Sequence, residues 1–168
     1  MAMSGFNHNV EWSEFRPVNQ RPAGINEDAQ ISIRTQTFNF QTRQPRGENC
    51  RVTGANVSIV VNRGASWVVR GYESASLLQH EQGHYDITAL GTRDLYNRVL
   101  ALTAARCPDI NAQSQSLQRQ IQTQITQTNR RYDTQTNHGN NASAQSRWNT
   151  SIRSAMQSPS GTLANLPQ

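Results

Sequence analysis

The five residues His80-Glu81-Gln82-Gly83-His84 carry the most specific chemistry in this sequence. They form an HExxH motif within a segment whose leucines and isoleucines recur at helical spacing. On a helix, residues i and i+4 lie about 40° apart around the axis and about 6 Å apart along it, so two imidazoles can bind one ion. Glu81 is then placed beside the ion, where it can take a proton from a metal-bound water. The motif predicts a Zn²⁺ site with His80 and His84 as ligands and Glu81 as the general base.

A catalytic zinc needs a third protein ligand, which leaves one open position for water. The sequence has no glutamate after Glu81, so a later glutamate cannot be that ligand. On the same helix, Asp86 would point away from His84, and Asp94 would lie about 15 Å along the axis from it. Asp94 belongs to residues 91–96, GTRDLY, which resemble the GTxDxxY signature of aspzincins. In that family the signature lies much further from HExxH, so we interpret this match as accidental.

The third ligand is expected near the end of a second helix. If two helices form an antiparallel pair around a turn near residue 107, residue 84 falls opposite about residue 130, and residue 80 opposite about residue 134. This places His138 and Asp133 near the histidine pair, and we predict His138 first and Asp133 second as the ligand. Gly139 would permit a close backbone approach there. Tyr132 or Tyr85 could stabilise an oxyanion in the transition state, or could simply pack between helices.

The elements that must position these residues can be read from the apolar periodicity. Alternating segments at 29–41 and 51–62, joined by a turn at 42–49, predict an antiparallel hairpin. The apolar run at residues 66–69 predicts a third strand, which we expect at the edge of the sheet above the active-site helix. Helical patterns follow at about 73–105, 109–132 and 142–156, the first capped by Ser74 or Ser76.

Length and composition exclude several classes of protein. The 168 residues suit one domain, for which we predict the bounds 1–157, followed by a disordered tail at 158–168. No segment approaches the roughly 18 consecutive apolar residues of a membrane span. The net charge is +5 and all 16 basic residues are arginine, but they are scattered rather than clustered, which argues against a nucleic-acid site.

The sequence leaves open whether the two cysteines form a disulfide and whether the protein is exported. Cys50 and Cys107 have no CxxC spacing and could be two free thiols or one disulfide. Residues 1–12 have no apolar core of a signal peptide. Either the protein is not exported, or a signal has been removed, and residues 1–3 resemble a cloning remnant.

Several motifs together resemble one bacterial family of predicted secreted zinc-dependent proteases, which carries a domain-of-unknown-function label (number 922). The resemblance extends over most of residues 10–153 and is carried by these runs: LLQHEQGHYDI at 77–87 with Arg93, YDxxTxHG at 132–139, QxxW at 145–148, Ser66-Trp67, and Trp12 with Phe15. A departure is Ala89, where many members have glutamate. The resemblance implies export to a secreted or periplasmic location, and with it a disulfide between Cys50 and Cys107.

The combined prediction is an α+β, minimal zincin-like domain with a small antiparallel sheet, a long HExxH helix, a second antiparallel helix and a short third helix. Its expected function is zinc-dependent hydrolysis of a peptide or protein substrate, by a monomer without a nucleic-acid partner. The alternative is a non-catalytic cell-envelope binding protein whose metal holds the helices together.

Overall fold

In the computed structural model, which describes residues 2–168, six strands precede the first helix and a seventh lies between the first and second helices. The strands are β1 (Ala2–Ser4), β2 (Arg16–Val18), β3 (Ala29–Gln30), β4 (Ile33–Arg43), β5 (Cys50–Val61), β6 (Trp67–Val69) and β7 (Thr103–Ala104). The helices are α1 (Ala75–Leu100), α2 (Cys107–Thr136) and α3 (Ala142–Gln157), and 3₁₀ turns occur at Trp12–Glu14 and Leu163–Asn165. The predicted α+β class is confirmed.

The predicted hairpin is formed by β4 and β5, which pair antiparallel between residues 33–43 and 51–61 with two register shifts. The strand predicted at 29–41 is divided, because Ala29–Gln30 forms β3 in a second sheet and β4 begins only at Ile33. Strand β5 is central, because β1 and β4 flank it and β7 pairs with its first residues. Its side chains alternate as the sequence indicates, and one face is buried against the helices through residues such as Val57, Ile59 and Val61.

Strand β6 differs from the prediction that residues 66–69 form an exposed edge. It is the middle strand of a separate three-stranded sheet, parallel to β2 on one side and antiparallel to β3 on the other. All three of its residues are buried, as a continuous apolar run in a covered strand requires. The edge that faces helix α1 is therefore β3, at Ala29–Gln30.

Helix α1 begins at the predicted cap, where the Ser74 hydroxyl accepts a hydrogen bond from the Leu77 N–H. It ends earlier than predicted, at Leu100, because Thr103–Ala104 pairs with β5. Helix α2 is longer than predicted at both ends and reaches Thr136. Within residues 2–168, no helix has the length and apolar character needed to cross a membrane.

Two glycines allow α1 and α2 to pack closely. A Cβ atom at Gly83 would clash with the phenol of Tyr132, and one at Gly91 would clash with the side chain of Ile125. The close approach matters for the site, because it brings the end of α2 against the HExxH turn of α1.

Residues 158–168 differ from the predicted disordered tail. Leu163 and Leu166 are buried in the apolar cluster between the helices, beside Ile125 and Ile152. The Arg93 guanidinium also donates hydrogen bonds to backbone carbonyls at the end of α3 and at Gly161. Two leucines three residues apart on a short 3₁₀ turn are enough to anchor a segment that is otherwise polar.

The structure contains the disulfide between Cys50 and Cys107, which joins the start of β5 to the start of α2. Replacing both cysteines by serine should lower the free energy of unfolding by about 4 kcal/mol, because the bridge closes a long loop in the unfolded chain. Urea denaturation of the two proteins measures this difference. Reductant should destabilise the wild type by a similar amount and leave the double variant unchanged. If the wild type and the double variant are equally stable, with and without reductant, the prediction is wrong.

Candidate metal centre

Three side chains from two helices converge at one point. His80 and His84 lie one turn apart on α1, and Asp133 lies in the last turn of α2, which packs against α1. The Asp133 Oδ1 atom is 3.2 Å from His80 Nε2 and 2.9 Å from His84 Nε2. These residues form a group that could hold a metal ion.

The directions of these contacts suit an ion better than hydrogen bonds. Asp133 Oδ1 is buried and, among residues 2–168, has no hydrogen-bond partner with acceptable geometry, although two imidazole nitrogens stand close to it. In a tetrahedral zinc site with bonds near 2.1 Å, neighbouring ligand atoms lie about 3.3–3.5 Å apart. The separations in this structure are a little shorter, so a small ligand movement would accommodate zinc.

Two amide side chains orient the histidines. His80 Nδ1 lies 3.1 Å from Gln145 Oε1, and His84 Nδ1 lies 2.7 Å from Asn129 Oδ1. The Gln145 amide nitrogen is occupied by Tyr132 Oη and Asn149 Oδ1, which fixes its oxygen toward His80. Because an amide oxygen only accepts, each Nδ1 carries the proton and each Nε2 keeps its lone pair for a metal.

The charges around the site favour a cation. Burial would raise the pKa of the Asp133 carboxyl, but the His80 and His84 imidazoles hold that pKa well below its usual range. Burial would lower the pKa of His84, but Asp133 and Glu81 raise it, and the result is about 9. Without a metal, His84 is therefore protonated at neutral pH and supplies the positive charge that Asp133 and Glu81 attract. A bound metal would take the place of its Nε2 proton.

Glu81 lies beside the three-residue group and is almost completely buried. Its Oε2 atom accepts a 2.8 Å hydrogen bond from the Ile31 N–H, just after strand β3. Burial raises the pKa of the Glu81 carboxyl, and the His84 and His80 imidazoles partly oppose this rise. The carboxylate is thus held in place with a basicity above that of an exposed glutamate.

His138, the first candidate for the third ligand, lies beside this group rather than in it. It occupies a left-handed turn at residues 137–139, where all three residues have positive φ. Its Nδ1 atom is 3.0 Å from Glu27 Oε1 and 3.9 Å from Asp133 Oδ1. The structure therefore brings Asp133, the second candidate, to the histidine pair. Asp94 pairs instead with Arg98 on the surface of α1, away from the site.

Both tyrosines have packing contacts, which agrees with the second of the two alternatives that the sequence left open for them. The buried Tyr132 ring stacks on the His80 ring, and its hydroxyl donates to the His80 carbonyl at 3.1 Å. The Tyr85 hydroxyl donates to the Gly5 carbonyl at 2.7 Å. Both hydroxyls are committed to backbone acceptors where helices pack against neighbouring segments.

A cleft of about 310 Å³ opens onto His80 and Glu81. Residues 26–29, which lead into and start the edge strand β3, line this cleft together with residues 138–140, which follow helix α2. A smaller cleft of about 200 Å³ is lined by residues that include Glu81, His84 and Asp133. Each cleft therefore reaches Glu81 and one histidine of the pair.

The part of the chain that carries this geometry is similar to one bacterial family. Residues 65–139 match the family described as "Bacterial protein of unknown function (DUF922)". The match begins just before β6 and ends at the turn that carries His138, so it includes the HExxH motif and Asp133. It supports the family assignment made from the sequence. No curated protein and no solved structure matches the chain.

Proposed function

We propose that this DUF922-type protein is a zinc-dependent metallopeptidase in which His80, His84 and Asp133 bind the metal and Glu81 is the general base. The observation that carries the proposal is the convergence of two Nε2 atoms and an otherwise unpartnered carboxylate oxygen beside a buried glutamate. A metal in such a site, when bound, polarises the substrate carbonyl and lowers the pKa of a coordinated water.

The surrounding residues fit the other requirements of that chemistry. Burial makes the Glu81 carboxylate a better proton acceptor than an exposed glutamate, and the same group can return the proton to the leaving amine. Gln145 and Asn129 hold both imidazoles in the ligating tautomer. The Ile31 N–H fixes the orientation of the Glu81 side chain.

The edge strand β3 supports a peptide as substrate. The Val69 N–H donates to the Asp28 carbonyl at 2.7 Å, and Ala29 is paired with Val68 in the antiparallel register. Since residues alternate in such a pair, the backbone N–H and C=O of Ala29 face away from β6, at the open edge. Ala29 also lines the large cleft, so an extended peptide could add to the sheet there.

The accessible clefts favour this proposal over a purely structural metal. Structural zinc sites are usually closed by four protein ligands, whereas this group supplies three, and its His80 lines an open cleft. A disulfide in the chain is consistent with export to an oxidising compartment, which we propose as the location.

Metal removal tests the proposal directly. The purified chain should hydrolyse an unfolded protein or a broad peptide library, lose this activity after dialysis against a chelator, and regain it when stoichiometric Zn²⁺ is added. The far-ultraviolet circular dichroism should change little, because the disulfide and three apolar clusters hold the fold without metal. Hydrolysis that continues in the chelated protein would rule out a metallopeptidase. Unfolding on chelation, without hydrolysis in either state, would support the structural-metal alternative.

A further inference from the structure

A second group of potential ligands adjoins the first. It consists of Glu27, Asp133 and His138, whose ligand-type atoms all lie within 4.8 Å of one another. Glu27 lies just before the edge strand β3, and His138 lies in the left-handed turn after α2. Glu27 and His138 both line the 310 Å³ cleft, and the group shares Asp133 with the histidine pair.

The contact between His138 and Glu27 is short but is not a hydrogen bond. His138 Nδ1 lies 3.0 Å from Glu27 Oε1, yet this buried nitrogen has no hydrogen-bond partner of acceptable direction among residues 2–168. Asp133 Oδ1 likewise has a short contact, 2.9 Å to His84 Nε2, but no hydrogen-bond partner of acceptable geometry in the described part of the chain. Nitrogen and oxygen atoms that lie this close together without hydrogen-bonding to one another are typical of ligands placed around an ion.

The charge of Glu27 is also incompletely balanced by the protein. Asp28, its neighbour, forms a bidentate pair with Arg21. In the described part of the chain, by contrast, no arginine nitrogen lies within 4.0 Å of the Glu27 carboxylate, whose single ion-pair contact is with His138. The chain has 16 arginines, but none of those described pairs with Glu27, so this carboxylate is available to bind a cation from solution.

We propose that Glu27, Asp133 and His138 bind a second divalent cation, with the Asp133 carboxylate bridging the two ions. Two oxygen ligands and one imidazole suit Zn²⁺, Co²⁺ or Mn²⁺ better than Ca²⁺, which prefers oxygen alone. The three side chains are between 25% and 39% exposed, so this ion binds more weakly than the one at the buried histidine pair. Paired ions in hydrolases lie about 3.5–4 Å apart, a separation that a bridging carboxylate permits.

This second site would join the segment before β3 to the turn after α2, since Glu27 and His138 come from these two segments and both line the 310 Å³ cleft. It rests on the proposed function only through the shared Asp133. Its test is therefore metal stoichiometry, which can be measured whether or not the protein hydrolyses peptides.

The experiment is a titration of the chelator-treated full chain with Zn²⁺. Isothermal titration calorimetry measures the affinities, and metal analysis after gel filtration counts the ions that stay bound. The wild type should bind two ions, one tightly and one more weakly. Glu27→Gln and His138→Asn should each keep the tight ion and lose the weak one, its affinity falling by at least about tenfold. Asparagine is chosen because it tolerates the positive φ of residue 138. Glu48→Gln, which removes an exposed carboxylate elsewhere, is the matched control and should bind two ions.

The results separate this proposal from the proposed function. One ion in the wild type, or two ions with unchanged affinities in both Glu27→Gln and His138→Asn, would overturn the second site and leave the peptidase proposal intact. Two ions in the wild type and one in each variant would support it, even in a protein that hydrolyses no peptide.

Discussion

Replacing Glu81 by glutamine is expected to lower kcat/KM for peptide hydrolysis by about 10²–10⁴-fold while zinc stays bound. Glutamine has nearly the same shape, and its side-chain oxygen can still accept the hydrogen bond from the Ile31 N–H. It cannot take a proton from a metal-bound water, so only the chemical step should suffer. Steady-state kinetics with the best substrate of the library, together with metal analysis of the same samples, measures both effects.

The matched control for this variant is Asp94→Asn. Asp94 lies on the same helix and also loses one negative charge, but its partner is Arg98 on the surface. This variant should keep both its zinc and its activity. Wild-type kcat/KM in Glu81→Gln would show that Glu81 is not the base, and loss of zinc would show that it supports the metal.

The parts of the fold that depend on local periodicity were predictable from the sequence. The HExxH helix, its Ser74 cap and the β4–β5 hairpin follow from spacings of four and two residues, which report the buried face of an element directly. The sheet that contains β6 was not predictable, because all three of its strands have only two or three residues and only β6 is a continuous apolar run. Arg16–Val18 and Ala29–Gln30 are too short to show any period, so the central position of β6 left no local signal.

The proposed third ligand was only partly predictable. An antiparallel helix pair correctly indicated the region near residue 133, but choosing between Asp133 and His138 required the end of α2. The helix continues to Thr136, so Asp133 remains on the face toward α1, whereas His138 follows a left-handed reversal and turns toward Glu27. Asn129 and Gln145 also escaped prediction as partners of the histidines. Gln145 belongs to the QxxW run that carries the family resemblance, but that run does not show which side chain the amide contacts, and Asn129 has no sequence signal of its own.

The choice between these ligands leads to the second large effect. Asp133→Asn should weaken tight zinc binding by more than about 100-fold, because it removes the negative charge and the buried oxygen that both Nε2 atoms face. Peptide hydrolysis should fall to the level of the chelated wild type. Competition with a chromogenic chelator gives the affinity, and the amide keeps the shape of the side chain, so the α1–α2 packing should survive.

His138→Asn is the control that decides between the two candidate ligands. The two residues are close, with His138 Nδ1 3.9 Å from Asp133 Oδ1. His138→Asn should keep the tight zinc, because its nitrogen points into the group with Glu27 rather than to the histidine pair. The reverse pattern, with tight zinc lost in His138→Asn and retained in Asp133→Asn, would make His138 the third ligand. In that case Asp133 would act by holding the two imidazoles in place, and the shared-carboxylate arrangement would be wrong as well.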